Sequence, residues 1–201
     1  MVLAAGAGPR ELGVAGEREL VGKGVSYCAA CDGMFYRGKT VIVAGGGNTA
    51  AAEALALSRI CEKVILVHRR DTLRAAKIYH EPLFKAENIE FHWDSEITEL
   101  LGEGKITGVR LRNRKTGAES VLSCDGLFVS IGRTPSTKLV LGQLDLDPAG
   151  YVVADESTCT KIPGVFAVGD VRTKALRQVI TAAADGAVAA HYAEEYMAGG
   201  L

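Results

Sequence analysis

A run of glycines between a predicted strand and a predicted helix constrains the fold of this chain more than any other feature. Thr40–Ala44 consists mainly of branched and apolar residues, as in a buried strand, and Gly45-Gly-Gly-Asn-Thr-Ala50 follows it directly. Residues 51–58 are rich in Ala, Leu and Glu and predict a helix. A G-x-G-x-x-A pattern with these two flanks predicts a strand–turn–helix unit that can approach a phosphate group closely.

Three positions of this glycine loop have separate physical roles in such a unit. Gly45 permits the tight turn, Gly47 lets the backbone reach a pyrophosphate, and Ala50 lets the helix pack closely on the strand. Free N–H groups and the positive end of the helix would meet the phosphate charge. We therefore predict a dinucleotide site, the alternative being a glycine-rich turn without function.

The next predicted strand, Val64–Val67, ends in basic residues. His68, Arg69 and Arg70 follow it, and Arg74 comes one turn later. A site for NAD places an acidic residue about 20 residues after the glycines, where it holds the ribose 2′-hydroxyl. Cations at this position suit a 2′-phosphate instead, because the planar arginine fork matches phosphate oxygens. We predict NADP(H) rather than NAD(H), with a solvated basic strand end as the alternative.

The surrounding pattern predicts an α/β fold. Residues 81–87 predict a short helix, and Ile89–Trp93 and Asp125–Ile131 predict further buried strands. Between them, residues 96–122 alternate between apolar and polar in the manner of an antiparallel β-meander. The break at residues 132–135 suggests a domain boundary.

The flanking segments are shorter and less regular. Residues 2–9 predict a buried strand that ends in a glycine turn. Tyr151–Val153 and Pro163–Val168 predict strands, and Gln178–Met197 predicts a long helix. In that helix the small and apolar residues at helical spacing are Val179, Ala183, Gly186 and Ala190.

A pair of cysteines, Cys28-Ala-Ala-Cys31, precedes the glycine loop, and Asp32 and Gly33 follow it directly. Such a pair can form a redox disulfide, supply two thiolates to a metal, or pack as buried thiols. A metal site needs about four ligands. The sequence offers no second Cys-x-x-Cys and no paired histidines, so no metal is predicted. A carboxylate beside Cys31 suits proton transfer, or it caps the turn before Gly33.

Composition narrows the function classes. The chain has 201 residues and a net charge of −1, which gives no basic field for nucleic acid. The sequence shows no apolar run of about 18 residues and no signal-peptide pattern, so we expect neither a membrane span nor export. Three scattered cysteines, Cys61, Cys124 and Cys159, predict small buried side chains rather than a disulfide framework. We expect a cytoplasmic protein that binds neither nucleic acid nor membrane.

Together these motifs resemble the bacterial-type (low molecular weight) thioredoxin reductases, a family of flavin-dependent pyridine nucleotide-disulphide oxidoreductases. Order and spacing agree along essentially the whole chain. The stretches that carry the resemblance are Cys28–Gly33, Gly45–Ala50, His68–Asp71 with Arg74, Ile162–Asp170 and Arg177–Val179.

The resemblance implies a thioredoxin-disulfide reductase in which electrons pass from NADPH through FAD to Cys28 and Cys31 and on to thioredoxin. It implies that Cys31 faces the flavin, that Cys28 attacks the partner, and that Asp32 is the acid. The implied cofactor residues are Gly45, Gly47, Asn48, Thr49 and Ala50 for the NADPH pyrophosphate, His68, Arg69, Arg70 and Arg74 for its 2′-phosphate, Gly169 and Asp170 for the ribityl and phosphate region of FAD, and Arg177, Gln178 and Val179 for the flavin ring.

The resemblance also implies a domain layout. Residues 11–133 would be a Rossmann-like, three-layer NADP(H)-binding domain that carries the cysteine pair and the antiparallel meander. Residues 1–10 and 134–201 would be the remnant of a first segment and the C-terminal segment of an FAD-binding domain. That domain would be incomplete, because family members carry a further G-x-G-x-x-G well before the cysteine pair, and residues 1–27 contain none.

We therefore expect an N-terminally truncated chain, part of a longer protein that forms a homodimer. The alternatives are a truncated NADP(H)-binding module without flavin and without catalysis, and a related flavin disulfide reductase with another protein acceptor. The basic residues at His68, Arg69 and Arg70 argue against the latter, since related peroxiredoxin-linked reductases lack such a cluster.

Overall fold

The computed structural model describes residues 1–199 of the chain. The strands in this part are β1 (Val2–Leu3), β2 (Ala7–Pro9), β3 (Val25–Ser26), β4 (Thr40–Ala44), β5 (Lys63–Val67), β6 (Ile89–His92), β7 (Ser95–Leu101), β8 (Gly108–Asn113), β9 (Glu119–Ser123), β10 (Gly126–Val129), β11 (Arg133–Pro135) and β12 (Phe166–Ala167). The α-helices are α1 (Ala29–Asp32), α2 (Asn48–Ser58), α3 (His80–Lys85) and α4 (Val179–Met197).

The chain folds as two units. Unit 2 is the continuous stretch Arg10–Gly132, whereas unit 1 combines Met1–Pro9 with the chain from Arg133 onward. The α/β class predicted for the chain is confirmed, with parallel and antiparallel sheets in one polypeptide.

Unit 2 is built on a five-stranded sheet in the order β3-β10-β4-β5-β6, and every neighbouring pair in it is parallel. The predicted strand Thr40–Ala44 is confirmed to the residue, and its neighbours differ from prediction by one or a few residues at their ends. Val41, Ile42 and Val43 are fully buried because the sheet is covered on both faces. Ala44 pairs with both Val67 and Val129, so β4, β5 and β10 end at one edge.

Helix α2 begins at Asn48, directly after the glycine loop, and is therefore longer at its start than predicted. Its buried residues are Ala50, Ala51, Ala54 and Leu57, which belong to the same core cluster as Val41 and Val64. These small side chains let the helix lie close to the sheet, as the alanine at the end of the motif predicts.

The predicted antiparallel meander is confirmed as the sheet β7-β8-β9. Its register shifts between Ile97 and Glu99, which is a β-bulge. Ile97, Val109 and Leu111 are buried and pack in one cluster with Ile42 and Leu127 of the parallel sheet. The meander therefore covers one face of that sheet, and α2 covers the other.

Unit 1 has little regular sheet. β1 pairs in parallel with β12, and β11 pairs with β2 in antiparallel orientation. The prediction of a strand at Tyr151–Val153 is wrong. The backbone of Val152 exchanges hydrogen bonds with Val171 and Thr173, whereas Val153 donates to Asp145, so no single partner segment forms a ladder. Two other predicted strands are shorter than expected. Of the strand predicted at residues 163–168 only β12 forms, and the strand predicted at residues 2–9 is divided into β1 and β2.

Helix α4 is confirmed, and its small and apolar residues at helical spacing do not form its buried face. The recurring residues Val179, Ala183, Gly186 and Ala190 are all exposed, and Asp185 and Ala189 are the buried ones. A buried carboxylate is costly without partners, so its ion pairs, rather than hydropathy, select which side of α4 faces inward.

Asp185 lies at the centre of a buried ionic network in unit 1. Its carboxylate accepts hydrogen bonds from Arg172 Nε and Nη2 and from Lys174 Nζ, each at 2.8 Å. The backbone N–H of Gly169 also donates to it at 2.8 Å. Burial alone would raise the pKa of Asp185, but these donors outweigh that effect and hold the pKa well below its ordinary value. The network therefore joins α4 to the Gly169 turn.

Replacing Asp185 with Asn should destabilise the protein by about 3–5 kcal/mol at neutral pH, because Arg172 and Lys174 would lose their buried counter-charge and only the exposed Glu156 would remain beside Arg172. A lowered folded-state pKa stabilises the fold above the unfolded value, about 3.9, and this contribution is lost as the pH falls through the folded value. The difference in the free energy of unfolding between the wild type and the variant should therefore stay constant from neutral pH to about pH 5 and become smaller in stronger acid.

Chemical denaturation followed by helical circular dichroism at several pH values measures this difference. The matched control is Asp145→Asn, whose carboxylate pairs with Lys161 at the surface and should contribute less than about 1 kcal/mol. A difference that persists unchanged in acid would contradict the role assigned to the Asp185 charge.

Candidate functional site

A cavity of about 520 Å³ opens in unit 2 where β4, β5 and β10 end. The carboxyl edge of a parallel sheet is the usual ligand position in folds of this kind. The glycine loop, the end of β5, the start of β7 and residues 10–12 and 130–132 line it. Among the predicted site residues, the lining includes Gly45, Gly47, Asn48, Thr49, His68, Arg69 and Arg74, whereas Ala50 and Arg70 are not part of it.

Two glycines of the loop are pressed against their neighbours. Gly45 has φ +147°, and a Cβ there would lie 2.4 Å from the carbonyl oxygen of Ser130. A Cβ on Gly46 would lie 2.4–2.5 Å from ring atoms of His68. Gly47 differs, since a Cβ there would meet nothing within 4 Å. The loop backbone is therefore clamped to the sheet at its start and open toward the cavity at Gly47.

The segment that carries Arg74 is fastened to the same loop. The N–H groups of Arg74 and Ala75 donate to the Gly46 carbonyl at 2.7 and 3.1 Å. The N–H of Ala76 donates to the Asn48 side chain at 2.7 Å. These bonds bring an arginine that is distant in sequence to the mouth of the glycine loop.

His68 differs from the arginines that follow it. Its side chain is 5% exposed, and its Nε2 atom has no hydrogen-bond partner within residues 1–199. Burial lowers the pKa of His68, and the positive charges of Arg70, Arg69 and Arg74 lower it further. The imidazole is therefore neutral near pH 7, and the positive charge at this end of the cavity comes from exposed Arg69 and Arg74.

The cysteine pair forms a disulfide in unit 2, with the Cα atoms of Cys28 and Cys31 5.3 Å apart. Cys28 is half-buried as the N-cap of the short helix α1, and Cys31 is exposed. Asp32 is half-buried and accepts a hydrogen bond from Ser26 Oγ at 2.6 Å. Ser26 Oγ in turn accepts the N–H of Cys28 at 3.1 Å. One serine thus links the predicted acid to the backbone of the cysteine pair.

Two features beside the cysteine pair were not predicted from the sequence. Glu53 of α2 accepts the N–H of Ala29 at 3.2 Å, and its other oxygen accepts the hydroxyl of Ser130. Met34 and Phe35, in the 3₁₀ helix Gly33–Tyr36 after α1, are exposed, Phe35 to 74%. Charge and hydropathy along the sequence do not reveal either feature, because Glu53 looks like an ordinary helix residue and Phe35 like an ordinary core residue.

The remaining predicted residues lie together in unit 1, at the start of α4. Gly169 has φ +72°, and Asp170 is half-exposed with one carboxylate oxygen 4.0 Å from Arg133. The Arg177 guanidinium lies 3.8 Å from the centre of the Tyr151 ring and donates to the Asp170 carbonyl. Gln178 is the N-cap of α4 in a capping box with Thr181, and Val179 is 86% exposed.

Two absences concern the described part of the chain alone. Within it, no group of three or more His, Cys, Asp or Glu side chains is arranged to hold a metal ion. None of the helices traced through residue 199 combines the length and the apolar character that crossing a membrane requires.

The glycine loop generates a prediction about stability. Gly46→Ala should destabilise unit 2 by about 1–3 kcal/mol, because the buried His68 ring cannot move away from the added Cβ. Gly47→Ala is the matched control and should change stability by less than about 1 kcal/mol, since its Cβ enters open space. Chemical denaturation followed by fluorescence of Trp93, the single tryptophan, measures both. Equal losses in the two variants would contradict the clamped geometry.

Comparison with known proteins places this geometry in a family. The pattern of the pyridine nucleotide-disulphide oxidoreductases matches residues 1–186. The thioredoxin reductase of Listeria monocytogenes is 46% identical over 198 residues, and that of Streptomyces coelicolor is 49% identical over 199; each match covers 98% of this chain and 62% of the relative.

Among solved structures, the thioredoxin reductase of Streptococcus pyogenes superposes with a TM-score of 0.91 at 42% identity, over 98% of this chain and 65% of that one. The chain thus spans somewhat less than two thirds of the length of the relatives it matches. With a family pattern that covers most of its residues, this chain belongs to the pyridine nucleotide-disulphide oxidoreductases.

Proposed function

We propose that this chain is the nucleotide- and dithiol-carrying part of a thioredoxin-disulfide reductase that uses NADPH and FAD. The observation that carries the proposal is that the Cys28–Cys31 disulfide and the arginine-lined cavity belong to one folded unit. Proteins 46–49% identical to this chain carry the name thioredoxin reductase, which supports thioredoxin as the protein disulfide substrate. A chain that binds NADPH but takes up no FAD would instead be a nucleotide-binding module without catalysis.

The cavity of unit 2 fits NADP(H). The open backbone at Gly47 and the start of α2 at Asn48 and Thr49 suit a pyrophosphate, and Ala50 keeps α2 close to the sheet. Arg69 and Arg74 suit the 2′-phosphate, and Arg70 adds charge next to them in sequence. His68 contributes a buried, neutral ring that packs against Gly46 and supports the glycine loop from below the cavity. These residues bind and orient the nucleotide.

The part of the FAD site that this chain supplies lies at the start of α4 in unit 1. Gly169 is held in place by the Asp185 carboxylate, and Asp170 next to it suits the ribityl and phosphate region. Arg177, Gln178 and the exposed Val179 suit the flavin ring. These residues would hold FAD, which would supply two-electron chemistry between the nicotinamide of NADPH and a disulfide.

The cysteine pair performs thiol–disulfide exchange. In the reduced state the Cys28 thiolate attacks one sulfur of the thioredoxin disulfide, and the other thioredoxin sulfur leaves as a thiolate. The Cys31 thiolate then attacks the Cys28 sulfur of this mixed disulfide, which re-forms Cys28–Cys31 and releases the second thioredoxin thiol. Asp32 exchanges the protons that these steps require and is oriented by Ser26.

The surface around the cysteine pair suits contact with a protein substrate, and we infer that this substrate is met in the cytoplasm. Met34 and Phe35 present exposed apolar side chains beside the exposed Cys31, as a docking surface does. We infer that thioredoxin contacts this surface, and that the full-length protein is a homodimer that binds neither nucleic acid nor membrane, as expected of the family.

The 2′-phosphate assignment predicts a loss that depends on the nucleotide. Replacing Arg69 and Arg74 together with Ala should raise the KM for NADPH about 100-fold or more, because each charged hydrogen bond contributes about 1.5–3 kcal/mol. The KM for NADH should change little. Arg70→Ala should have a smaller effect, and Arg59→Ala at the far end of α2 serves as the control. Equal effects on both nucleotides would refute the assignment.

The redox assignment predicts a separation of two half-reactions in the FAD-loaded protein. Cys31→Ser should abolish reduction of thioredoxin disulfide, since the pair can no longer form, and leave reduction of the flavin by NADPH intact. Stopped-flow absorbance of the flavin and a thioredoxin assay measure the two steps. Cys159→Ser, which changes a cysteine outside the pair, should alter neither step. Disulfide reductase activity that is retained in the Cys31→Ser variant would contradict the redox role of the pair.

A further inference from the structure

We propose that Glu53 is a positioning residue for the Cys28–Cys31 pair, and that its negative charge makes the reduced pair a stronger reductant. It lies on α2, the helix that follows the glycine loop, and not on the segment that carries the cysteines. The proposal rests on the proposed function in one respect, namely that the pair cycles between disulfide and dithiol.

The contacts of Glu53 reach both the cysteine pair and the nucleotide cavity. One oxygen accepts the N–H of Ala29 at 3.2 Å, and this amide belongs to the peptide bond directly after Cys28. The other oxygen accepts the hydroxyl of Ser130, a buried residue that lines the cavity. The carboxylate therefore holds the cysteine turn at a fixed place relative to α2 and to the end of β10.

The position of the charge has a consequence for the thiolates. The carboxylate accepts the N–H of Ala29, the residue directly after Cys28, so its negative charge lies beside the backbone of a half-buried cysteine. A nearby anion disfavours a thiolate and leaves a neutral disulfide almost unaffected. Glu53 thus destabilises the reduced, ionised pair relative to the disulfide, and the pair gives up electrons more readily.

Other titratable groups on the elements around the pair are Asp32 on α1, Tyr36 on the following 3₁₀ helix, and Tyr27, whose hydroxyl donates to Glu17. Burial is the largest cause that raises the pKa of both tyrosines, so they stay neutral through pH 9. Asp32 reaches the cysteine turn through Ser26, on a route independent of Glu53. A substitution at Glu53 therefore changes the charge of one carboxylate beside the cysteine turn and leaves that of Asp32 in place.

The test is a redox titration of the whole chain, which requires no flavin. In glutathione buffers, two glutathione thiols are oxidised to one glutathione disulfide while the Cys28–Cys31 bond takes up two electrons and two protons. Alkylation of free thiols followed by peptide mass spectrometry reports the reduced fraction of this pair separately from Cys61, Cys124 and Cys159.

Glu53→Gln keeps an oxygen to accept the Ala29 N–H and removes the charge. Near pH 9 its equilibrium constant should shift about threefold to tenfold toward the dithiol. Near pH 5.5, where a smaller fraction of the two thiols is ionised, the shift should be smaller than at pH 9. Glu53→Asp, which keeps the charge, should restore the wild-type dependence on pH, and Glu103→Gln at an exposed turn should change nothing.

A shift of equal size at both pH values would show that Glu53 acts by supporting the turn alone, and it would overturn the proposal. Wild-type behaviour of Glu53→Gln at both pH values would overturn it as well. If the Cys28–Cys31 pair of the wild-type chain does not exchange with glutathione at all, the redox function itself fails. The two failures are therefore distinguishable.

Discussion

The close approach of the glycine loop to its neighbours is the contact on which the rest of unit 2 depends. Gly45 lies against the Ser130 carbonyl and Gly46 against the His68 ring, so neither position can carry a side chain. This approach lets α2 start at the sheet edge, and the Gly46 carbonyl then fastens the segment that bears Arg74. Glycine is required here by packing, and the open side of the loop at Gly47 is what remains for a ligand.

The same edge of the sheet connects the proposed nucleotide cavity to the cysteine pair. α2 begins at the cavity, and one turn further along it Glu53 reaches the peptide bond after Cys28. Ser130 contributes its carbonyl to the contact with Gly45 and its hydroxyl to Glu53. The candidate binding cavity and the cysteine pair are therefore linked by shared residues within unit 2.

Much of unit 2 is predictable from its sequence, because its strands are continuous apolar runs and its helix follows a recognised loop. β4 agrees with prediction to the residue, and the meander agrees in order and direction. Unit 1 is less predictable. The prediction of helix α4 is confirmed. Its buried face, however, is set by Asp185 and its partners Arg172 and Lys174, an arrangement that hydropathy cannot reveal. The strand expected at residues 151–153 fails because its hydrogen bonds go to separate segments.

In the candidate site, too, some features are predictable from the sequence and others are not. The sequence motifs predict binding residues at the glycine loop and at Arg69 and Arg74, and the structure gathers residues 45–49 with these two arginines around one cavity; their role in binding stays a prediction. The sequence does not reveal the contacts made by Glu53, Ser130 and Ser26, since these contacts join different elements of the fold. Sequence motifs identify groups with intrinsic chemistry, whereas the groups that orient them depend on the packing.

The claim that unit 2 is built for a 2′-phosphorylated nucleotide is tested most directly by titrating the 201-residue chain with 2′,5′-ADP and with 5′-AMP in a calorimeter. The two probes differ by the phosphate that Arg69 and Arg74 are proposed to hold. We predict that 2′,5′-ADP binds about 100-fold more tightly than 5′-AMP. Equal affinities, or no binding of either probe, would contradict the account.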